Sequence, residues 1–354
     1  MEKLCFLGEP ALKPDIKKSF IAPASQAKLC FEVIKETQDK KIVLDKLRQE
    51  YVAIVIGLLK MGIDFRIIYA HPKEADEGLI SFCNKELNCK VSGFPSRLAP
   101  CFSGFPRDLA VTLPGFVLMN PVAGKFFRKE KENFLIFPSY YGEGGRVLSF
   151  DSTALMSERI VTKEGRPSLK ARKPTELCRA GIKIGFFPSS VSVKYTSEKD
   201  VSVAGLNDHI DRVACLLKGK DKKLHLLVDP KILIFDWKNP EKGKNGKIFY
   251  KLLSAEKTKE MIDNLGKKMG LQVHYPEKLQ VPCSLNLLQF SDNRVLMTDG
   301  DKSLASLVSD IVGQENIFKT EIPIRYFPAW RYGGIRCLIN EFPDLMFRSI
   351  TSAK

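Results

Sequence analysis

Val213-Ala214-Cys215-Leu216-Leu217, the polar turn Gly219-Lys220-Asp221-Lys222-Lys223 and Leu224-His225-Leu226-Leu227-Val228 read as two apolar strands joined by a hairpin. Downstream, Met261, Ile262, Leu265 and Met269 recur at helical spacing, and Gly270 stops the pattern. The strand-like run Leu271–Tyr275 follows directly. Hairpin, helix and strand thus form one unit, and the unit recurs. Leu285–Phe290 and Val295–Met297 flank Asp292-Asn293, a helical pattern on Leu304, Leu307, Val308 and Ile311 ends at Gly313, and Ile322–Phe327 supplies the strand. Upstream, Leu109–Leu113 with Phe116–Met119 around Pro114-Gly115 reads as another hairpin. Val147–Phe150 with Thr153–Met156 around Asp151-Ser152 reads as a further one. Ile335–Ile339 is a lone strand that needs Ser19–Ala22 as its partner to complete a fifth unit. Ser25 reads as the cap of a helix carrying Ala27, Cys30, Phe31 and Ile34, and Leu44, Leu47, Tyr51, Ile54 and Leu58 mark a longer one. A hairpin-plus-helix unit cannot bury its sheet face alone, so the units must share a core. The pattern predicts an α/β fold, a single domain over residues 1–354 built from about five related modules.

Composition narrows the function classes. With 44% hydrophobic and 27% charged residues the chain can bury a sizeable core, which excludes global disorder. The apolar stretch Tyr51–Leu59 is broken by Lys60 and is too short to cross a bilayer. Glu2 and the brief Leu4–Leu7 run do not make a signal peptide. The nine cysteines form no C-x-x-C pair and no metal-like spacing, against a disulfide scaffold and a metal module. They suit a reducing, cytoplasmic location. Net charge is 56 − 41 = +15, with a dense lysine stretch from Lys218 to Lys251. Those lysines alternate with Gly, Asp and Pro and read as solvated turns, so no nucleic-acid partner and no membrane partner is expected.

Polar residues that local structure does not need gather before the hairpins. Arg107-Asp108 precedes the first, and Gly142-Glu143-Gly144-Gly145-Arg146 precedes the second. Gly205-Leu206-Asn207-Asp208-His209-Ile210-Asp211-Arg212 leads into the third. On a strand, His209 and Asp211 would project to one face, where a carboxylate orients an imidazole and raises its pKa. His71, His225 and His274 have no acid two positions away and read as structural or surface histidines. Tyr332-Gly333-Gly334-Ile335-Arg336-Cys337 places a cysteine at a strand start beside an arginine, a setting that lowers a thiol pKa. The other cysteines read as packing or surface residues.

Taken in order, Arg-Asp, Glu-Gly-Gly, His-x-Asp and Gly-Gly-x-x-Cys resemble the guanidino-group-modifying (pentein) superfamily. Its members include arginine deiminases, agmatine deiminases, dimethylarginine dimethylaminohydrolases and amidinotransferases. The resemblance spans Arg107 to Ile339 and leaves residues 1–99 outside the recognised motifs; Met119, Arg128 and Glu132 fit the segment after the first hairpin. It implies a five-bladed α/β propeller of ββαβ modules and catalysis without a cofactor or metal. The nucleophile falls on Cys337, the general acid/base on His209 and its supporting carboxylate on Glu143. The guanidinium-binding carboxylates fall on Asp108 and Asp211. The expected reaction is hydrolysis of a guanidino compound, arginine or a derivative, through a thiouronium on Cys337. Amidino transfer to an amine is the alternative. Two departures stand out: Arg146 follows Glu-Gly-Gly where Asp or Asn is usual, and Leu338-Ile339-Asn340-Glu341 follows the cysteine where a Thr is common. A cation at Arg146 either repels a guanidinium or binds a substrate carboxylate.

Overall fold

The computed structural model describes residues 3–7, 20–69, 76–93, 110–119, 135–138, 141, 144–159, 175–197, 200–242, 248–331 and 333–343. One topology recurs in it: an antiparallel hairpin whose second strand pairs in parallel with a later third strand. The first module joins Ala110–Leu113, Phe116–Met119 and Leu135–Pro138. The second joins Val147–Phe150, Thr153–Ser157 and Lys183–Phe187. The third joins Ala214–Lys218, Leu224–Val228 and Gln272–His274, with Leu216 opposite Leu226. The fourth joins Leu288–Gln289, Val295–Met297 and Ile317–Lys319.

Both ends of the chain build the fifth module. Ile339–Pro343 pairs antiparallel with Lys3–Leu7, which pairs in parallel with Phe65–Tyr69; Lys90–Gly93 extends that sheet. This corrects the expected pairing with Ser19–Ala22: the strand Phe20–Pro23 lies against Ser190–Ser197 instead. The fifth strand also starts later than expected, because Ile335–Leu338 is one helical turn. A second correction concerns Ile322–Phe327, which is not a strand. Pro323 and Pro328 cannot donate to a ladder, and the buried Glu50 carboxylate takes the N–H groups of Arg325, Tyr326 and Phe327. Phe327–Arg331 therefore continues as a wide helical turn. Burial pushes the Glu50 carboxyl up to about 7 against those three donors.

The helices read from apolar spacing form, but Ser25 does not cap the first: it lies in the short turn Ala24–Gln26, and Gln26 precedes the helix Ala27–Glu36. Ala255–Met269 is capped by Ser254, which accepts from the Lys257 N–H, and buries Ile262 and Met269. Lys302–Val312 is capped by Asp301 and buries Leu304, Val308 and Ile311, each worth about 1.5–3 kcal/mol. The first strands of the modules are themselves packed together. Ile339–Pro343 touches Ala110–Leu113, which touches Val147–Phe150, which touches Ala214–Lys218. The Gln289 amide continues the contact, accepting from the Lys218 N–H at 2.7 Å and donating to its C=O at 2.9 Å. Every residue singled out for chemistry precedes one of these first strands.

Candidate active site

Cys337 is buried on the turn Ile335–Leu338, directly before the first strand of the fifth module. The backbone turns here because Asn286 removes its donors from any ladder. The Asn286 C=O accepts the Arg336 N–H at 3.1 Å, and its Oδ1 accepts the Cys337 N–H at 3.2 Å. Asn286 Nδ2 also donates to Cys337 Sγ at 3.3 Å and to the Asp211 C=O at 3.1 Å. One side chain thereby ties three modules together at the thiol. Gly334 permits the approach, since a Cβ there would stand 2.7 Å from Asn286 Oδ1.

Asp211 is fully buried on the short turn Ile210–Arg212. Its Oδ2 accepts from Cys337 Sγ at 3.5 Å, while Oδ1 has no hydrogen-bond partner among the described residues. Leaving a buried carboxylate oxygen without a donor costs about 1–3 kcal/mol or more. The neighbouring Arg212 is also buried, with Nε and Nη2 unpartnered among the described residues. Burial opposes its charge, while the sulfurs of Cys283, Cys30 and Cys337 favour it, and the balance holds the guanidinium protonated. A carboxylate and a cation at consecutive positions therefore act on one thiol.

His209 and Asp211 do not share a strand face, contrary to the expectation. The strand Asp200–Asn207 ends early, and the Asn207 Nδ2 donates to the His209 C=O at 3.1 Å, bending the chain. Asp211 turns to Cys337, whereas the half-buried His209 ring lies on the glycine-rich turn. A Cβ on Gly145 would stand 2.2 Å from His209 Nδ1, so glycine is required for the imidazole to sit there. Glu143 and Asp108 lie outside the described residues. Arg146 is buried, and its Nε donates to Asp208 Oδ2 at 2.7 Å. Its charge is thus met within the protein by a neighbour of His209.

Burial pushes the thiols of Cys5, Cys30, Cys83, Cys89 and Cys283 upward, as expected of packing residues. Among the described residues, no group of three His, Cys, Asp or Glu is placed to hold a metal ion. No described helix is long and apolar enough to cross a membrane. The residues missed from sequence are Asn286, Asp208 and Arg212. Asn286 gave no signal, because the sequence places it inside the expected strand Leu285–Phe290, whereas the strand is Leu288–Gln289 and Asn286 precedes it.

No protein-family model and no curated protein matches the chain. Solved structures do resemble it. The N-terminal domain of ArgZ, an arginine dihydrolase from the ornithine-ammonia cycle in cyanobacteria, aligns over 96% of this chain and 97% of its own. The TM-score is 0.48 and the identity 11%. The same domain covalently bonded to a reaction intermediate gives a TM-score of 0.48 as well. A putative agmatine deiminase aligns over 83% of this chain and 87% of its own, at a TM-score of 0.46 and 12% identity.

Proposed function

We propose that the chain is a cysteine-dependent hydrolase of a guanidino compound, arginine or a derivative, acting through a covalent intermediate on Cys337. The observation that carries this reading is the Asp211 carboxylate, buried beside the thiol with Oδ1 unpartnered among the described residues. A planar cation with several N–H donors fits that position, and its central carbon would then face the sulfur. In the same place the Cys337 thiol donates to Asp211 Oδ2 at 3.5 Å. A guanidinium bound at Asp211 would set a positive charge beside the sulfur that attacks it.

The chemistry follows from these groups. Cys337 gives its thiol proton to His209, and its sulfur adds to the guanidinium carbon to give a tetrahedral adduct. His209 then protonates the departing amine, the C–N bond breaks, and a thiouronium remains on sulfur. Water takes the leaving group's place, gives a proton to His209, and its oxygen displaces sulfur, releasing a ureido product and the thiol. Asp108 would hold the second edge of the guanidinium, and Glu143 would orient His209. Arg146, paired with Asp208, braces the turn beneath the imidazole. We further read the five modules as blades of one closed propeller domain, with the packed first strands lining its axis.

The test is a panel of free arginine, agmatine, methylated arginines and arginine-containing peptides, with and without an acceptor amine, followed by mass spectrometry. A ureido product supports hydrolysis. Exclusive transfer to the amine replaces the hydrolase reading with amidino transfer. No reaction of any guanidino compound overturns both.

A further inference from the structure

We propose that Glu50 is a positioning residue for Cys337: from a helix outside the recognised motifs, its carboxylate holds the backbone segment on which the Cys337 turn is packed. Glu50 lies in the middle of the helix Lys40–Lys60 and is 2% exposed. Its Oε1 accepts the Arg325 and Tyr326 N–H groups at 2.6 and 2.7 Å, and its Oε2 accepts the Phe327 N–H at 2.9 Å. Successive main-chain donors turned on one negative group make an anion-binding concavity, filled here by the protein's own side chain.

The held segment leads to the nucleophile. Phe327–Arg331 is a wide helical turn, a form that recurs at functional sites. Ile324 and Pro328, on either side of the three bonded residues, line a void of only about 10 Å³ together with Asn286, Gly334 and Ile335. That is about the space of a single water, so the two turns have little room to shift independently. Asn286 and Gly334 in turn set the backbone and sulfur of Cys337. A chain of contacts thus runs from the carboxylate through Ile324–Pro328 to the thiol.

The charge of the carboxylate makes the hold adjustable. When ionised, both oxygens only accept; a proton on either sets an O–H against main-chain donors and weakens the hold. Burial pushes Glu50 up to about 7, against the three N–H groups and Arg325. Facing it are the Arg325 guanidinium and the Tyr326 phenol, both bonded to Glu36 at the end of the helix Ala27–Glu36. The role rests on Cys337 being the nucleophile of the function proposed above.

Glu50→Gln tests it, because Gln keeps the shape of the protonated acid at every pH. In a Trp237→Phe background the one remaining tryptophan is Trp330, buried in the wide turn. Its emission should show a step between about pH 8.5 and about pH 5.5 that Glu50→Gln abolishes. Iodoacetamide labelling of Cys337 is read by peptide mass spectrometry against the exposed Cys178. At the alkaline end it should be at least about threefold faster in Glu50→Gln, where a loosened turn uncovers the buried sulfur. At the acid end the two proteins should label within about twofold of each other, since both then carry a neutral group. A purely structural loss would give the same gap at both ends. A Trp330 step that survives Glu50→Gln, equal or slower labelling at the alkaline end, or a gap that persists at the acid end overturns the proposal. Should Glu50→Gln fail to fold, Arg325→Gln decides. Removing the cation beside Glu50 should move the Trp330 step and the pH dependence of labelling to higher pH together, and a step that stays overturns the proposal. Neither readout needs a substrate, so a hydrolase reading that fails in the substrate panel is seen separately.

Discussion

The strand Ala214–Lys218 has an imidazole and a carboxylate near each end. Before it stand His209 and Asp211; past its hairpin turn, His225 Nε2 lies 3.0 Å from Asp221 Oδ1, and His225 Nδ1 lies 2.9 Å from His274 Nε2. Each histidine even rests on a glycine: a Cβ on Gly145 would strike His209, and one on Gly219 would stand 2.5 Å from His225 Nε2. The difference is in what remains unsatisfied. Asp221 is largely exposed, bonds His225 and the Lys223 N–H, and faces no thiol. Asp211 is buried, touches a thiol, and has an oxygen unpartnered among the described residues. A histidine–carboxylate pair alone is therefore an ordinary structural device. What sets the other end apart is an unmet acceptor beside a thiol.

Paired substitutions sharpen that contrast. His209→Gln should lower kcat by about 10²–10⁴, the usual worth of a general acid/base, while His225→Gln leaves it within about twofold. Asp211→Asn should lower kcat/KM by about 10², with no comparable loss for Asp221→Asn; steady-state kinetics on all four variants decides. Gly145→Ala should cost roughly tenfold to a hundredfold in kcat/KM, because the imidazole must move by about an ångström. Gly219→Ala should instead lower thermal stability by about 1–3 kcal/mol, read as a shifted melting curve, with kcat/KM unchanged. Similar kinetic losses at both ends would erase the distinction.

The smallest effect concerns pH. Burial, and then the charge of His225, hold the His274 pKa below its ordinary 6.5. Protons therefore bind the unfolded chain more readily, and stability falls as pH drops below about 6.5 towards the lowered folded value. Denaturant titrations should show that decline in the parent and less of it in His274→Asn.

Much of the fold was legible because alternation is local. The hairpins around Pro114-Gly115, Asp151-Ser152 and Gly219–Lys223 carry period-2 apolar residues and turn formers, and they form as read. The closing sheet was not, since Lys3–Leu7 meets Ile339–Pro343 through pairing of the chain's two ends, which no local pattern encodes. Ile335–Leu338 is apolar enough to read as strand, and only Asn286, distant in sequence, makes it a turn. In the site, Cys337 and Asp211 stood out by residue type. Asn286 did not, because an amide in Cys283-Ser284-Leu285-Asn286 resembles any polar turn residue.

The central claim is that Cys337 carries the substrate carbon. Acid-quenched enzyme, taken during turnover of whichever guanidino compound the panel identifies, should show by mass spectrometry an adduct on the Cys337 peptide. Its mass should equal that of the substrate less the departing amine, and Cys337→Ala should show neither adduct nor turnover with its melting curve preserved. Turnover by Cys337→Ala at the parent rate, or an adduct on another cysteine alone, would contradict the account.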